Sequence, residues 1–294
     1  MRLLDIRNLN IELRSNEQLI KAVDSVNFAM KEGEVSGLIG ESGSGKSLIA
    51  KALVGVLNER WQITSDRFHF LGEDLNKLSE HDRRRLISKN ISMIYQEPRR
   101  CLDPTANIFM QLEESLPDCD YSGWFGIKAS ERVKQCRNLL HKVGIKDHQA
   151  IFDSYPHMLS EGVCQKIMIA MAIAKQPKLL IADEPTTALE SSTSLQVIKL
   201  LKSLNQLKDM AVIFITHNLH TITSWADDIN VMYCGQLVES GPTKRIISQA
   251  KHPYTKALFD SEPDFTKIDI HNKQRLYTLK GTIPTLQHLP AGCR

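Results

Sequence analysis

A chain of 294 residues, 42% hydrophobic and 24% charged, suits one elaborated domain or two and is too balanced to be disordered, fibrous or collagen-like. Its 37 Lys and Arg against 34 Asp and Glu leave a net charge of +3, too small to make nucleic acid the main partner, so any phosphate site must be local. The longest unbroken apolar run, Ile167 to Ala174, has eight residues, whereas a helix spanning a bilayer needs roughly 20.

The start, Met1-Arg-Leu-Leu-Asp-Ile-Arg7, places charges at residues 2, 5 and 7 and leaves no apolar stretch for a signal peptide, so the chain is expected to stay in the cytosol. Six cysteines, Cys101, Cys119, Cys136, Cys164, Cys234 and Cys293, form no C-x-x-C pair. They read as free thiols acting as small hydrophobes rather than as a zinc or disulfide framework.

In chain order, apolar residues first alternate (Leu4, Ile6, Leu9, Ile11, Leu13, then Val23, Val26, Phe28), as half-buried strands do. A buried strand is expected at Val35 to Ile39. After Gly40 to Gly45 the spacing of Leu48, Ile49, Ala52, Leu53 and Val56 turns helical. Residues 100–175 read as a helical insertion with helices near Ile108 to Ser115, Glu131 to Val143 and Glu161 to Ala174, broken by a turn-rich run from Pro117 to Gly123. Strand and helix patterns then alternate: Leu179 to Ala182, Ser194 to Leu207, Ala211 to Thr216, Leu219 to Ala226 and Ile229 to Tyr233. That alternation predicts an α/β fold with a mainly parallel sheet. Past Gly241-Pro242 a tail of some 50 residues carries two short helical patterns and several prolines.

The run Gly40-Glu41-Ser42-Gly43-Ser44-Gly45-Lys46-Ser47 fits G-x-x-x-x-G-K-[ST] and lies between a strand and a helix. Glycines let the backbone turn its amides toward phosphate, the helix aims its positive end there, and Lys46 neutralises the β and γ oxygens. Ser47 is then a magnesium ligand. Lys178-Leu-Leu-Ile-Ala-Asp183-Glu184 is an apolar strand ending in two carboxylates. Asp183 is placed to hold magnesium and Glu184 to act on a water. His217 closes another apolar strand and is expected at the same sheet edge, and Gln96 follows the strand Ile91 to Tyr95.

These residues come in an order: phosphate loop, Gln96, Leu159-Ser-Glu-Gly-Val-Cys-Gln165, Asp183-Glu184, Ala188-Leu189-Glu190, His217. The order resembles the nucleotide-binding subunit of an ABC transporter over nearly the whole chain. The runs Gln96 to Pro104, His252-Pro-Tyr-Thr255, Gly281-x-Ile-Pro284 and Pro290-Ala-Gly-Cys293 are similar to the dipeptide and oligopeptide importer branch. Glu161-Gly-x-Cys-Gln-Lys166 and Ala226 to Gly235 most resemble its members that carry antimicrobial peptides.

The resemblance implies a P-loop ABC ATPase with a mainly parallel core sheet, an antiparallel β subdomain, a helical insertion and a C-terminal extension. Residues 1–99 and 176–242 would form the nucleotide-binding core, 100–175 the helical signature subdomain and 243–294 the extension. It implies ATP and Mg2+ as ligands, with Ser47, Gln96 and Asp183 on the metal and Glu184, His217 and Gln96 at the reacting phosphate. Ser160 and Gly162 would reach the γ-phosphate bound by a second ATPase subunit in a heterodimer. It further implies two transmembrane permease subunits, a periplasmic peptide-binding protein acting indirectly, no nucleic acid, and a place at the cytoplasmic face of the bacterial inner membrane. Arg99, Arg100, Leu102 and Asp103, next to Gln96, would then dock the permease.

Departures from the pattern are local. Glu161 and Val163 replace a glycine and the glutamine of the usual Leu-Ser-Gly-Gly-Gln, and Glu190 replaces an aspartate. No aromatic precedes Phe28 to stack on adenine, so Leu19 stands nearest that position. Cys293 alone near the end predicts no iron-sulfur cluster. A soluble ABC-type ATPase of DNA repair or translation is the alternative; it would be expected to carry a coiled coil, zinc cysteines or two cassettes, none of which is seen in the sequence.

Overall fold

A computed structural model describes residues 2–15, 18–117, 125–187, 189–261 and 284. Most of the turn-rich run after Pro117, Ala188, and the late runs at 281–283 and 290–293 lie outside the described residues. Two compact units result, one drawn from Met1–Glu80 with Ile213–Arg294, the other His81–Val212.

The first unit opens with β1 (Arg2–Ser15) and β2 (Gln18–Lys31), which pair antiparallel. Buried Leu4 and Ile6 occupy even positions and buried Leu9 and Ile11 odd ones. The slip in phase falls at Asn8, whose φ is 51°, and the register shifts between Ile6 and Leu9. A matching slip on β2 falls at Ser25, with φ 54°. Each bulge turns an amide out of the ladder, and an asparagine across the pair takes it: Asn27 accepts from Asn8 N at 3.0 Å and Asn10 from Ser25 N at 3.1 Å.

After β3 (Val35–Ile39) and α1 (Lys46–Val54) come β4 (Trp61–Thr64), β5 (Arg67–Phe70) and β6 (Glu73–Asp74). They complete an antiparallel sheet in the order β2-β1-β5-β6, with β4 also on β1. Strands of two to four residues are too short to show a period, so sequence reading passed over them.

The second unit is helical around α7. Its elements are α2 (Glu80–Asn90), β7 (Ile91–Ile94), α3 (Pro98–Cys101), α4 (Ile108–Ser115), α5 (Phe125–Lys142), α6 (His148–Asp153), α7 (Glu161–Ala174), β8 (Leu179–Asp183) and α8 (Ser191–Lys208). Strands β7 and β8 pair parallel, Ile91 opposite Leu179 through Ile94 opposite Ala182. Helix α7 buries Cys164, Ile167, Ile169, Ala170 and Ile173 against α3, α4 and α5. Three of the helices start on short polar caps: Asn107 accepts from Met110 N, Asp147 from Ala150 N and Ser160 from Val163 N.

Strand β9 (Ala211–Thr216) carries the chain back into the first unit. Helix α9 (Leu219–Thr223) stops short of the expected Ala226, and Trp225 just beyond it meets Phe214 edge-on at 5.2 Å. Strand β10 (Asp228–Tyr233) runs parallel to β3 and antiparallel to β11 (Gln236–Pro242). Helices α10 (Thr243–Gln249) and α11 (Pro253–Asp260) follow.

One residue clasps the head of the parallel pair. Asp227 Oδ2 accepts from Val35 N at 2.8 Å, and Asp227 N donates to Val35 O at 2.8 Å. Asp227→Ala leaves the Val35 amide without its acceptor and is expected to cost about 1–2 kcal/mol in urea unfolding. Asp227→Asn, which keeps an oxygen there, is expected to recover most of that loss.

Candidate phosphate-binding site

Fully buried β3 ends at Ile39, and Gly40 follows at φ 147°. A Cβ at Gly40 would sit 2.1 Å from Met232 O, so only glycine lets the chain leave β3 beside β10. The loop then closes on itself: Ser44 N donates to Glu41 O at 3.2 Å, and Ile49 N to Gly45 O at 3.1 Å as α1 begins. Lys46 is 5% exposed, and its Nζ reaches Gly40 O at 2.8 Å, Glu41 O at 2.7 Å and Ser44 Oγ at 3.3 Å. Ser42, Gly43 and Ser47 stand exposed at the crest. A buried ammonium ringed by carbonyls at the start of a nine-residue helix is a receptor for an oxyanion.

In the second unit Asp183, 8% exposed, ends β8. Glu184 follows in the left-handed region at φ 47°, a strained conformation for a residue with a side chain. Its Oε2 accepts from Gln96 Nε2 at 3.0 Å and from Thr187 Oγ1 at 3.0 Å. The structure thus joins Gln96 to Glu184 and adds Thr187, which the sequence analysis does not single out. Within the second unit the amide of Gln96 and the carboxylate of Asp183 are hard oxygen donors, of a chemistry that suits magnesium.

Ser160 caps α7, and Gly162 lies one helical residue on, where a Cβ would press to 2.7 Å from Thr193 Cγ2 of α8. Gly162 therefore has a packing reason to lack a side chain. His217 is exposed after β9, ahead of the Asn218 cap of α9. Leu19 is 56% exposed on β2. Cys136, Cys164 and Cys234 are buried; burial pushes the Cys136 thiol up to about 11, so it stays a neutral apolar filler.

Leu102, expected to dock the permease, is 3% exposed as the C-cap residue of α3. It lines a cavity of about 310 Å³ together with Tyr95, Cys101, Met168, Met171 and Lys175.

Comparison with known proteins bears on this geometry. The fold matches a dimeric bacterial ABC transporter cassette with a TM-score of 0.71 at 25% identity, over 82% of this chain and 98% of that one. It also matches a dimeric ATP-binding cassette in a post-hydrolysis state bound to ADP and Pi, at 0.69 and 24%, over 82% and 98%. Residues 23–187 match the ABC transporter family, and 238–294 match the oligopeptide/dipeptide transporter C-terminal region. The chain belongs to the ATP-binding subunits of ABC transporters, in the oligopeptide/dipeptide branch. Among its relatives, the peptide transport system ATP-binding protein SapD of Haemophilus influenzae is 51% identical, over all of this chain and 84% of that one. SapD of Escherichia coli O157:H7 is 49% identical over 100% and 89%, and the dipeptide transport ATP-binding protein DppD of Escherichia coli K12 is 40% identical over 100% and 87%.

The altered signature is charge-compensated within its own unit. Glu161 Oε2 pairs with Arg99 Nε at 3.1 Å, and the same guanidinium donates to Leu159 O. The acidic side chain in the first turn of α7 also suits the helix dipole. Arg99→Glu is expected to lower the denaturation midpoint and Arg99→Glu with Glu161→Arg to recover part of it, with a coupling of about 0.5 kcal/mol because the pair is half-exposed. A double-mutant cycle in urea measures it.

Proposed function

We propose that this chain binds and hydrolyses ATP with Mg2+ and thereby drives uptake of peptides through two transmembrane permease subunits. Glu184 carries the hydrolytic part of the reading: a carboxylate in a strained backbone conformation, with two donors on one oxygen, is oriented for work rather than solvated at random. Membership in the oligopeptide/dipeptide branch, with relatives named for peptide and dipeptide transport, supports the cargo. Within that cargo the sequence resemblance of Glu161 to Lys166 and Ala226 to Gly235 points to antimicrobial peptides.

In this reading Lys46 leaves the loop carbonyls for the β and γ oxygens of ATP, and the loop amides from Gly43 to Ser47 hold the remaining charge. Ser47, Asp183 and Gln96 would hold the metal, which, when bound, withdraws charge from the phosphate oxygens. Glu184 takes the proton of the attacking water as the oxygen–phosphorus bond forms and the bond to ADP breaks. His217 donates to the γ-phosphate. Ser160 and Gly162 act on ATP held by a second ATPase subunit, making the working unit a heterodimer with one altered signature. Leu19 supplies an apolar contact to adenine in place of an aromatic stack.

Among the described residues no helix is long and apolar enough to cross a membrane. Attachment to the cytoplasmic face of a bacterial inner membrane then depends on protein contact, with a periplasmic peptide-binding protein feeding the far side. The cavity beside Tyr95, Met168 and Met171 suits an apolar helix of a permease subunit.

Glu184→Gln is expected to retain ATP binding while turnover of the assembled transporter falls about 10²- to 10⁴-fold, the usual span for a lost general base. Lys46→Ala is expected to lose binding as well; nucleotide-binding titrations and phosphate release measure the two separately. For docking, half-buried Met171 is a better probe than buried Leu102. Met171→Asp is expected to reduce the membrane-associated fraction severalfold while ATP affinity stays at the parent value. Membrane retention equal to the parent would place the contact elsewhere.

A further inference from the structure

The peptide unit that joins Gly40 to Glu41 is gripped at both ends. Its carbonyl, Gly40 O, accepts from Lys46 Nζ at 2.8 Å, and its amide, Glu41 N, donates to the Tyr254 hydroxyl at 3.0 Å. Tyr254 comes from 213 residues further along the chain, in α11 of the matched oligopeptide/dipeptide C-terminal region. No part of the phosphate-loop motif calls for that hydroxyl.

The tyrosine is firmly seated. It is 8% exposed, and its ring lies 4.4 Å from that of Tyr233 at the end of β10, tilted by 36°. Its own amide donates to His252 Nδ1 at 3.2 Å. The backbone just before it is pinned to β11, where Glu239 accepts from Lys251 N at 2.8 Å and from His252 N at 3.0 Å. Burial pushes the Tyr254 phenol up to about 12, so at neutral pH it meets the amide as an intact hydroxyl.

We propose that Tyr254 is a positioning residue of the phosphate loop, fixing the orientation of the Gly40–Glu41 peptide so that Lys46 can move from Gly40 O to a phosphate oxygen without the loop rearranging. The proposal rests on the reading that this loop takes ATP. Its logic is mechanical. Glycine at 40 leaves the neighbouring peptide plane free to rotate. The lysine bond on the carbonyl side is released when nucleotide takes the ammonium, whereas the tyrosine bond on the amide side is unaffected by that exchange. A loop held this way keeps its amides aimed at phosphate in both states, so less conformational entropy is lost on binding. The C-terminal region thus contributes a side chain to the nucleotide site of its own subunit.

Tyr254→Phe keeps the ring and its contact with Tyr233 and removes only the hydroxyl. In the purified full-length chain, fluorescent ATP with Mg2+ is expected to bind about three- to tenfold more weakly, because ordering the freed peptide then becomes part of the cost of binding. Hydrogen exchange in a peptide covering Glu41 is expected to quicken, with exchange elsewhere in the chain unchanged. In the assembled transporter KM for ATP should rise by the same factor while kcat stays within twofold. Parent-like affinity and exchange would overturn the proposal, as would weaker binding matched by quicker exchange throughout the chain, which marks a structural residue. If the parent failed to bind ATP, the underlying reading would fail and the proposal with it, an outcome told apart by the parent protein alone.

Discussion

The backbone leaving β3 passes so close to the backbone leaving β10 that a methyl group at Gly40 would fall 2.1 Å from the Met232 carbonyl oxygen. The two strands are in parallel register up to Ile39 opposite Val231, and the loop that follows inherits its curvature from that approach. Backbone bonds extend the fence: Gly235 N donates to Ser44 O at 3.0 Å, and Asp24 N to Gly235 O at 2.8 Å. The phosphate loop is therefore shaped by main chain on its inner side. Its exposed crest and the start of α1 are left to meet an anion with little reorganisation.

Lys46 shows what such a loop costs. A lysine 5% exposed would be poorly tolerated without acceptors, and two loop carbonyls and a hydroxyl supply them. The charge is thus stored against groups that a phosphate can replace one for one. Glu184 is the acidic counterpart: its backbone strain and its two donors, Gln96 and Thr187, restrict where the carboxylate can point. Because Gln96 opens the segment that continues into Arg99, and Arg99 grips Glu161 and Leu159, three functional stretches of the second unit are tied together by short polar contacts.

The C-terminal region enters the first unit by the same kind of contact. Helices α10 and α11 lie in sequence after the sheet is complete, yet Glu239 fixes the backbone at Lys251 and His252, and Tyr254 reaches the loop amide. Apolar area supplies the seat, through the Tyr233 ring, and one hydroxyl supplies the direction.

Much of this protein was determined locally and so could be read from its sequence. The phosphate loop, the strand ending in Asp183-Glu184 and the bounds of α4 and α7 depend on spacing over a few residues, which periodicity records. Strands β4 to β6 were invisible because strands of two to four residues have no period, and their identity as strands comes from pairing with β1 and with each other. The burial of Leu102 was not legible because its neighbours are polar and proline-flanked, and only the packed fold encloses it. The pairs Arg99 with Glu161, 62 residues apart, and Glu41 with Tyr254, 213 apart, were decided by tertiary structure alone. A side chain's type says what bond it is able to make, but only the packed fold sets which of many chemically equivalent partners comes within 3 Å.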